Sequence, residues 1–297
     1  MKIARFNEGR IGIIVDKNII DITENLKLDI NSWPPVAANQ LIAQFDTHLP
    51  KIKTFIESGE SIPLSEVTLL TPVPWPNKVI AYPVNYHAHG KEMQADYRAS
   101  NQGFFLKPSS SVSGPSDAIV LPDLPGREIH HECELGIIIG RQARSINKAD
   151  WQSYIFGYTC LLDMVVRGRE ERVIRKAYDT FCPVGPWITT ADEIGDPTSL
   201  EMNLWVNGEL RQHANTRDLV LDIPGMITTA AAVMTLYPGD IIATGTPQGV
   251  GPVDAGDKVR INIEQVGEMT LDVIAGKNGQ TEVFDKPYEP QIVKQQL

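Results

Sequence analysis

Three acidic side chains, at positions 132, 134 and 163, are of the type that binds a divalent metal ion. Glu132 and Glu134 stand two residues apart in a predicted strand, where the alternation of side chains places both on one face. Asp163 ends an apolar run over residues 154–162, and a carboxylate there is costly unless a cation or a donor pairs with it. Oxygen ligands with room for water favour Mg²⁺ or Mn²⁺, with Ca²⁺ as a further alternative. The pattern predicts a metal site, although a lone Glu-x-Glu pair is also typical of a solvated strand face.

Zinc is the alternative metal for this region, because it prefers histidine and cysteine ligands. His130, His131 and Cys133 surround the glutamate pair, and His87 and His89 form a His-x-His pair. Neighbouring residues in a strand point to opposite faces, so His130 could share a site with the two glutamates whereas His131 and Cys133 could not. The strand pattern therefore favours a hard, oxygen-bound cation over zinc.

A histidine and a glutamate three residues apart could act as an acid–base pair. On a helical turn, the spacing of His89 and Glu92 brings imidazole and carboxylate into contact. Such a carboxylate can orient and charge-stabilise a histidine that acts as a general base toward water. The alternative from spacing alone is an exposed ion pair of little energetic value. Gly90 weakens the helix and indicates a mobile segment that orders over bound substrate.

Cationic side chains follow Asp163 in the sequence and could hold an anionic substrate. Arg167 is predicted to lie one helical turn beyond Asp163, where it could clamp a carboxylate, and Lys176 is a second candidate cation. Three further arginines are interpreted as a solvated helix face, namely Arg169, Arg172 and Arg175. Only the resemblance to a known family separates Arg167 and Lys176 from this group.

A glycine-rich loop, Ala-Thr-Gly-Thr-Pro-Gln-Gly-Val-Gly at residues 243–251, offers hydroxyls and close backbone approach. Such a loop can bind a carboxylate, although glycine-rich turns are usually only turns. It lacks the Gly-Lys-Ser/Thr ending of a nucleotide P-loop and the spacing of a dinucleotide-binding turn. No nucleotide cofactor is therefore predicted.

The charge balance excludes several classes of partner. Lys and Arg total 27 against 37 Asp and Glu, and the net charge of −10 repels polyanions, so we expect no nucleic-acid binding. A small anionic substrate then needs local cations or a metal. Three cysteines without CxxC spacing indicate a reducing, cytoplasmic setting. The longest early apolar run, residues 11–15, is too short for a signal core or a membrane span, so a soluble, unprocessed protein without a membrane partner is expected.

The elements that must position these residues are mainly strands. Short β-like runs at 11–15 and 19–22 precede a helical stretch at 35–57, and the Pro-rich segment 71–77 marks a boundary. We predict a small N-terminal α+β domain over residues 1–72 and a catalytic domain over residues 73–297. The predicted strands after the boundary are 78–82, 133–139, 154–162, 201–206, 240–243 and 258–263, and a buried helix is predicted at 226–237. The fold class is therefore α+β, mainly β.

The order of these motifs resembles the fumarylacetoacetate hydrolase family over residues 78–273. The matching blocks are Asn-Tyr at 85–86 with His89 and Glu92, Phe-Leu-Lys-Pro at 105–108 with Gly-Pro at 114–115, the glutamates at 132 and 134, Phe-Gly-Tyr at 156–158 through Asp163 and Arg167, Lys176 through Pro-Trp at 186–187, Val-Asn-Gly at 206–208, and Pro-Gly-Asp-Ile-Ile-Ala-Thr-Gly-Thr-Pro at 238–247. The chain departs from the family pattern at Pro83-Val84, at His130-His131 and at Glu170, where a glutamine is frequent. These departures bear on the distal substrate pocket.

The resemblance implies a role for each of ten residues. It implies a Mg²⁺ or Mn²⁺ site at Glu132, Glu134 and Asp163, and a His89–Glu92 pair that activates water, with Lys176 as a further catalytic group. The substrate contacts that it implies are Tyr86, Arg167, Glu170 and Thr246. It also implies a mixed β-roll catalytic domain and a homodimer.

The family includes several reactions, so the resemblance indicates the site better than the chemistry. The favoured function is a divalent-metal-dependent hydrolase that cleaves a carbon–carbon bond of a 2,4-diketo acid of the acylpyruvate type, giving a 2-oxo acid and a carboxylic acid. In this hypothesis the metal chelates the 2-oxo acid end while water activated by His89 attacks the other keto carbon. The alternatives are an oxaloacetate-type decarboxylase or a dienoate isomerase on the same metal site, or a non-catalytic binding protein.

Overall fold

A computed structural model describes residues 1–284, which contain twenty strands and six α-helices. The strands are β1 Lys2–Phe6, β2 Arg10–Val15, β3 Asn18–Asp21, β4 Ser61–Pro63, β5 Leu69–Leu70, β6 Val79–Ala81, β7 Phe105–Lys107, β8 Val112–Ser113, β9 Ile119–Leu121, β10 Ile129–His131, β11 Cys133–Ile139, β12 Ile155–Leu162, β13 Val165–Val166, β14 Cys182–Thr190, β15 Glu201–Val206, β16 Glu209–Asn215, β17 Ile241–Ala243, β18 Gly251–Pro252, β19 Lys258–Ile263 and β20 Gly267–Ala275. The helices are α1 Ala37–Ala43, α2 Phe45–Ser58, α3 His87–Glu92, α4 Ala99–Gln102, α5 Arg172–Lys176 and α6 Ile223–Val233. This mainly β content confirms the predicted fold class.

The strands form three sheets. The largest has the order β4-β3-β2-β1-β14-β12-β11-β17-β6-β7, with β5 also paired to β1 and β8 to β14. A five-stranded sheet has the order β16-β15-β19-β20-β9, and a three-stranded sheet has the order β13-β10-β18. The main core cluster lies between the large and the five-stranded sheets and includes Leu135, Cys160, Leu204 and Ile261.

The predicted strands agree with the observed ones to within one residue at each end. The predicted helix at 226–237 is wrong in its bounds, because α6 begins at Ile223 and ends at Val233. The Asp222 side chain caps this helix by accepting a hydrogen bond from Gly225 N, 2.7 Å away, and Pro224 occupies the first turn, where its missing N–H is harmless. The Pro-Gly pair therefore lies inside the first turn of the helix.

The N-terminal strands extend the large sheet. β1 pairs antiparallel with β14, with Lys2 opposite Thr189 and Ile3 opposite Ile188. A second core cluster combines side chains from both sides of residue 72, including Leu41, Ile138 and Ile241. The division at residue 72 therefore crosses a shared sheet and a shared core, and it stays a prediction. The end of the predicted second domain, residues 285–297, lies outside the described residues.

The strand ends bring distant residues to one point. β11 pairs antiparallel with β12, with Cys133 opposite Leu162, so Glu132 and Asp163 are adjacent just beyond the paired residues. Asp163 N donates to Glu132 O at 2.9 Å. β17 pairs with the other edge of β11, and the loop that follows β17 therefore emerges at the same end of the sheet. Three segments distant in sequence thus meet at this end.

The parallel pair β6 and β17 is anchored by a buried ion pair. Asp240 is fully buried, and its Oδ2 lies 2.5 Å from Lys78 Nζ. The same oxygen accepts a hydrogen bond from Tyr237 N, and Oδ1 accepts one from Lys78 N.

None of the helices within residues 1–284 combines the length and the apolar character that crossing a membrane requires.

Replacing Asp240 with asparagine should lower the free energy of unfolding by about 3 kcal/mol, because the largely buried Lys78 ammonium loses its counter-charge. Urea unfolding followed by circular dichroism measures the change. Asp272→Asn is the matched control, since its ion pair with Lys258 is exposed on β20 and should contribute less than about 1 kcal/mol. Equal losses in the two variants would contradict the role of burial.

Candidate functional site

Three buried carboxylates converge where β11 and β12 end. Glu132, Glu134 and Asp163 each place a carboxylate oxygen so that all three atoms lie within 4.8 Å of one another. Glu134 and Asp163 are each only 2% exposed. Like charges this close in a water-poor site repel strongly, so the cluster needs positive charge nearby.

Two buried lysines supply part of that charge. Lys176 Nζ lies 2.7 Å from Glu132 Oε2 and 2.6 Å from Asp163 Oδ2, and Lys107 Nζ lies 2.5 Å from Asp163 Oδ1. Burial alone would raise the pKa of Asp163, but the two ammonium groups outweigh it and hold that pKa below its ordinary value. Burial lowers the pKa of Lys176, yet the two carboxylates overcome this effect and raise it. Asp163 is therefore an anion held between two cations.

Glu134 is the member of the cluster with the least compensation. Its carboxylate accepts one hydrogen bond, from Gly245 N at 2.7 Å. Burial, together with the charges of Asp163 and Glu132, raises the pKa of Glu134 well above its ordinary value. A third cation beside Glu134 would remove this penalty. The oxygen-only donor set suits Mg²⁺, Mn²⁺ or Ca²⁺.

The two histidines and the cysteine next to the glutamate pair contact other groups. His130 Nε2 lies 2.9 Å from Glu128 Oε2, and His131 Nδ1 lies 3.1 Å from Gln212 Oε1. Cys133 packs in the main core with its thiol fully buried. The geometry therefore favours the oxygen-bound cation over zinc.

The histidine–glutamate pair is formed in α3. His89 Nδ1 lies 2.9 Å from Glu92 Oε2, and Glu92 Oε1 accepts from Gly249 N at 2.9 Å. Burial raises the pKa of Glu92, but the hydrogen bonds from His89 and Gly249 N and the charge of Arg167 together lower it below its ordinary value. With Nδ1 donating to this carboxylate, His89 Nε2 is left as an acceptor. Because His89 is buried, the pair is not the exposed ion pair that the spacing alone also allowed.

Gly90 packs against the Arg98 side chain. A Cβ at this position would lie 2.4 Å from the Arg98 guanidinium carbon, so a larger residue would require that flexible side chain to move. The predicted mobility of this segment stays a prediction.

One cavity of about 640 Å³ joins the acidic cluster and the histidine–glutamate pair. The predicted site residues that line it are His89, Glu92, Glu132, Glu134, Asp163, Arg167, Lys176 and Thr246. A histidine paired with a carboxylate, a candidate cation site and cationic side chains thus face one space, the combination that hydrolysis of an anionic carbonyl compound requires.

Two predicted substrate contacts lie outside this cavity. Tyr86 is fully buried, and its hydroxyl points at Met202 Sδ, 3.4 Å away. Glu170 Oε1 lies 2.7 Å from Arg127 Nη2, and Glu170 is not among the residues that line the cavity. Tyr86 and Glu170 are therefore scaffold residues in this geometry.

The arginines after Asp163 also differ from the prediction. β13 follows Asp163 and the helix begins only at Arg172, so Arg167 lies in the intervening loop instead of one helical turn along. The interpretation of Arg172 and Arg175 as a solvated helix face was wrong, because both are partly buried and line the cavity. Arg169 also lines the cavity, but it is exposed as expected.

Gln212, like Lys107, is a residue of the site that sequence reasoning missed. Its Oε1 accepts from Cys133 N at 2.9 Å and from His131 Nδ1, while its Nε2 donates to Thr246 Oγ1 at 2.8 Å and to Pro247 O at 2.9 Å. Burial lowers the pKa of His131 to about 4, so this imidazole is neutral near pH 7. Because Gln212 donates to the Thr246 oxygen, the hydroxyl proton of Thr246 is free to point into the cavity. No local spacing marks either Lys107 or Gln212.

Comparisons with known proteins agree on one family. The family described as Fumarylacetoacetate (FAA) hydrolase C-terminal matches residues 78–274. The maleylpyruvate hydrolase of Aquipseudomonas alcaligenes is 42% identical over 283 residues, covering 91% of this chain and 98% of that protein. The mitochondrial oxaloacetate tautomerase FAHD2B of Homo sapiens is 36% identical over 259 residues, covering 77% of this chain and 82% of that protein.

A solved structure extends the similarity to the whole fold. The maleylpyruvate hydrolase from Sphingobium sp. SYK-6, in complex with manganese(II) ion and pyruvate, is 60% identical with a TM-score of 0.87. The match covers 93% of this chain and 100% of that one.

Glu134→Gln should weaken Mn²⁺ binding at least about tenfold, because a charged oxygen ligand becomes a neutral one. Calorimetric titration of metal-free protein measures the affinity. Glu128→Gln removes an exposed carboxylate a short distance along the chain and should bind Mn²⁺ as the parent does. Unaltered affinity in the Glu134 variant would exclude it as a ligand.

Gln212→Leu should lower the free energy of unfolding by about 2 to 4 kcal/mol, because the buried Cys133 N–H and His131 Nδ1–H lose their acceptor. Urea unfolding provides the measurement. Gln248→Leu, at an exposed position in the adjacent loop, should change stability by less than about 0.5 kcal/mol. A Gln212 variant as stable as the Gln248 variant would refute the buried network.

Proposed function

The chain belongs to the fumarylacetoacetate hydrolase family, and on that premise we propose that it hydrolyses maleylpyruvate to maleate and pyruvate. The predicted family, the mainly β fold and the metal-dependent hydrolysis of an acylpyruvate carbon–carbon bond are confirmed. The specific acyl group is our proposal, and it is supported by the relatives at 42% and 60% identity. The residue roles below are also proposals.

The observation that carries the proposal is the shared cavity of His89, Glu92 and the acidic cluster. Hydrolysis needs an activated water beside the site that holds the keto acid. Decarboxylation and isomerisation stabilise the same kind of enolate without water attack. A histidine oriented by a carboxylate therefore favours hydrolysis over the alternative decarboxylase or dienoate isomerase.

A divalent cation bound by Glu132, Glu134 and Asp163 would supply the positive charge that polarises a 2-oxo acid and stabilises its enolate. Lys176 adds a positive charge at the same end of the cavity. Arg167 and Thr246 line the cavity and are the proposed contacts to substrate oxygens.

His89 carries the proton in this scheme. Its Nε2 takes a proton from water as the water oxygen attacks the C4 keto carbon, and Glu92 stabilises the imidazolium that forms. The C3–C4 bond then breaks, C4 becomes the new carboxyl group of maleate, which releases its proton to solvent, and the bonding pair remains on the pyruvate part as its enolate. A proton returned to C3 completes pyruvate, so one water is consumed and both products are accounted for.

Three finer points extend the proposal. We expect Mg²⁺ as the physiological metal, with Mn²⁺ and then Ca²⁺ as alternatives, since hard cations suit the oxygen ligands. The family resemblance supports a homodimer. The three cysteines are buried and unpaired, which supports a reducing location such as the cytoplasm.

His89→Asn should lower kcat for maleylpyruvate by at least about 100-fold while Mn²⁺ affinity stays the same, because the variant keeps the metal ligands and loses the base. Loss of the acylpyruvate absorbance measures turnover, and calorimetry measures the metal. His87→Asn, exposed on the same helix, should retain parental turnover. Undiminished hydrolysis by the His89 variant would contradict the mechanism, and carbon dioxide as a product would identify a decarboxylase.

A further inference from the structure

Three partly buried guanidinium groups line the cavity without a carboxylate partner. Within residues 1–284, Arg167, Arg172 and Arg175 form no ion pair, although the chain as a whole carries a net charge of −10. Their hydrogen bonds go to neutral groups, namely Met93 Sδ for Arg167, Tyr97 Oη for Arg172, and Glu170 O and Val166 O for Arg175. Partly buried cations that are left unpaired indicate a site for an anion.

The three groups differ in what else they contact. The charge of Arg167 acts on the Glu92 carboxylate, which places Arg167 near the proposed base. Arg175 is fixed by the two backbone carbonyls and has no second role in the scheme above. Arg172 gives one N–H to the Tyr97 hydroxyl at 2.9 Å, so most of its five donors remain available.

Arg172 and Lys176 both lie close to one aromatic ring, that of Phe105. The Arg172 guanidinium carbon lies 5.2 Å from the centre of the Phe105 ring, and Lys176 Nζ lies 5.7 Å from the same centre. Because the two distances share one centre, the Arg172 and Lys176 cations lie within about 11 Å of each other, and Lys176 contacts the acidic cluster. An extended diacid of seven carbons spans roughly 7 Å between its terminal carbons, which this limit admits.

We propose that Arg172, supported by Arg175, binds the distal carboxylate of a dicarboxylic acylpyruvate and so selects diacids over monoacids. The inference rests on the proposed function, because it assigns the far end of the same substrate. The planar guanidinium suits a carboxylate because it can donate two parallel hydrogen bonds. A cation–π contact with the Phe105 ring, 5.2 Å from the guanidinium carbon to the ring centre, helps to hold the group in the cavity before substrate binds.

Steady-state kinetics with two substrates tests this assignment. Maleylpyruvate carries the distal carboxylate, and acetylpyruvate replaces that arm with a methyl group. In Mn²⁺-loaded protein, Arg172→Met should lower kcat/KM for maleylpyruvate roughly 10- to 100-fold, since a charge-assisted hydrogen bond is lost. The value for acetylpyruvate should fall by less than about threefold. Arg141→Met makes the same charge change at an exposed pair with Asp46 and should alter neither value.

A constant ratio of the two kcat/KM values in parent and Arg172→Met would overturn the subsite. If the parent hydrolyses neither substrate, the proposed function is wrong. The carboxylate subsite is then tested separately, by measuring the binding of maleate, the product that carries the distal carboxylate. Calorimetry should then show that the parent binds maleate more tightly than isocrotonate, which lacks the second carboxylate, and that Arg172→Met loses this preference. A preference for maleate that survives in the variant would overturn the proposal.

Discussion

Mutual repulsion among three buried carboxylates is the interaction on which the rest of the structure depends. The oxygens of Glu132, Glu134 and Asp163 approach within 4.8 Å, where water can screen them only weakly. Lys107 and Lys176 neutralise two of the three charges, and each lysine is delivered by a different element, β7 and α5. The fold must therefore hold β7, β11, β12 and α5 in fixed relation, because removing either lysine would leave uncompensated buried charge.

This arrangement also explains how an acidic protein can take an anionic substrate. The overall charge of −10 opposes the approach of a diacid at long range. Inside the cavity the balance is reversed, since Arg167, Arg172 and Arg175 line the wall and a bound divalent ion would outweigh the remaining carboxylate. Affinity for the substrate thus depends on a few short-range contacts inside the cavity. The net surface charge favours the solubility of the whole molecule.

The parts of the site that the sequence could predict are those with a local pattern. Strand alternation places Glu132 with Glu134, and helical spacing places His89 against Glu92, so both pairs are brought together as expected. Lys107 reaches its partner across 56 residues, which no spacing rule describes. The predicted start of α6 was also wrong, because the capping side chain of Asp222 determines where this helix begins.

Long-range pairing likewise explains the misplaced residues. Tyr86 matches a family position and Glu170 stands at one where a glutamine is frequent, but their side chains contact Met202 and Arg127. The sequence around Arg172 and Arg175 is typical of an ordinary charged helix. Only the three-dimensional structure shows that both side chains line the cavity. In each case the deciding partner is distant in sequence, so position along the chain carries no information about it.

The pairing of β1 with β14 has a consequence for how the chain can be divided. The family match begins at residue 78, yet the strand that pairs with β14 at Ile188 and Thr189 comes from residues 2–6. A fragment that starts at the match would expose the backbone N–H and C=O groups of β14 along an unprotected edge, a template on which other chains can add. Residues 2–6 therefore cover an edge of β14, the strand that lies next to β12 and the acidic cluster at its end.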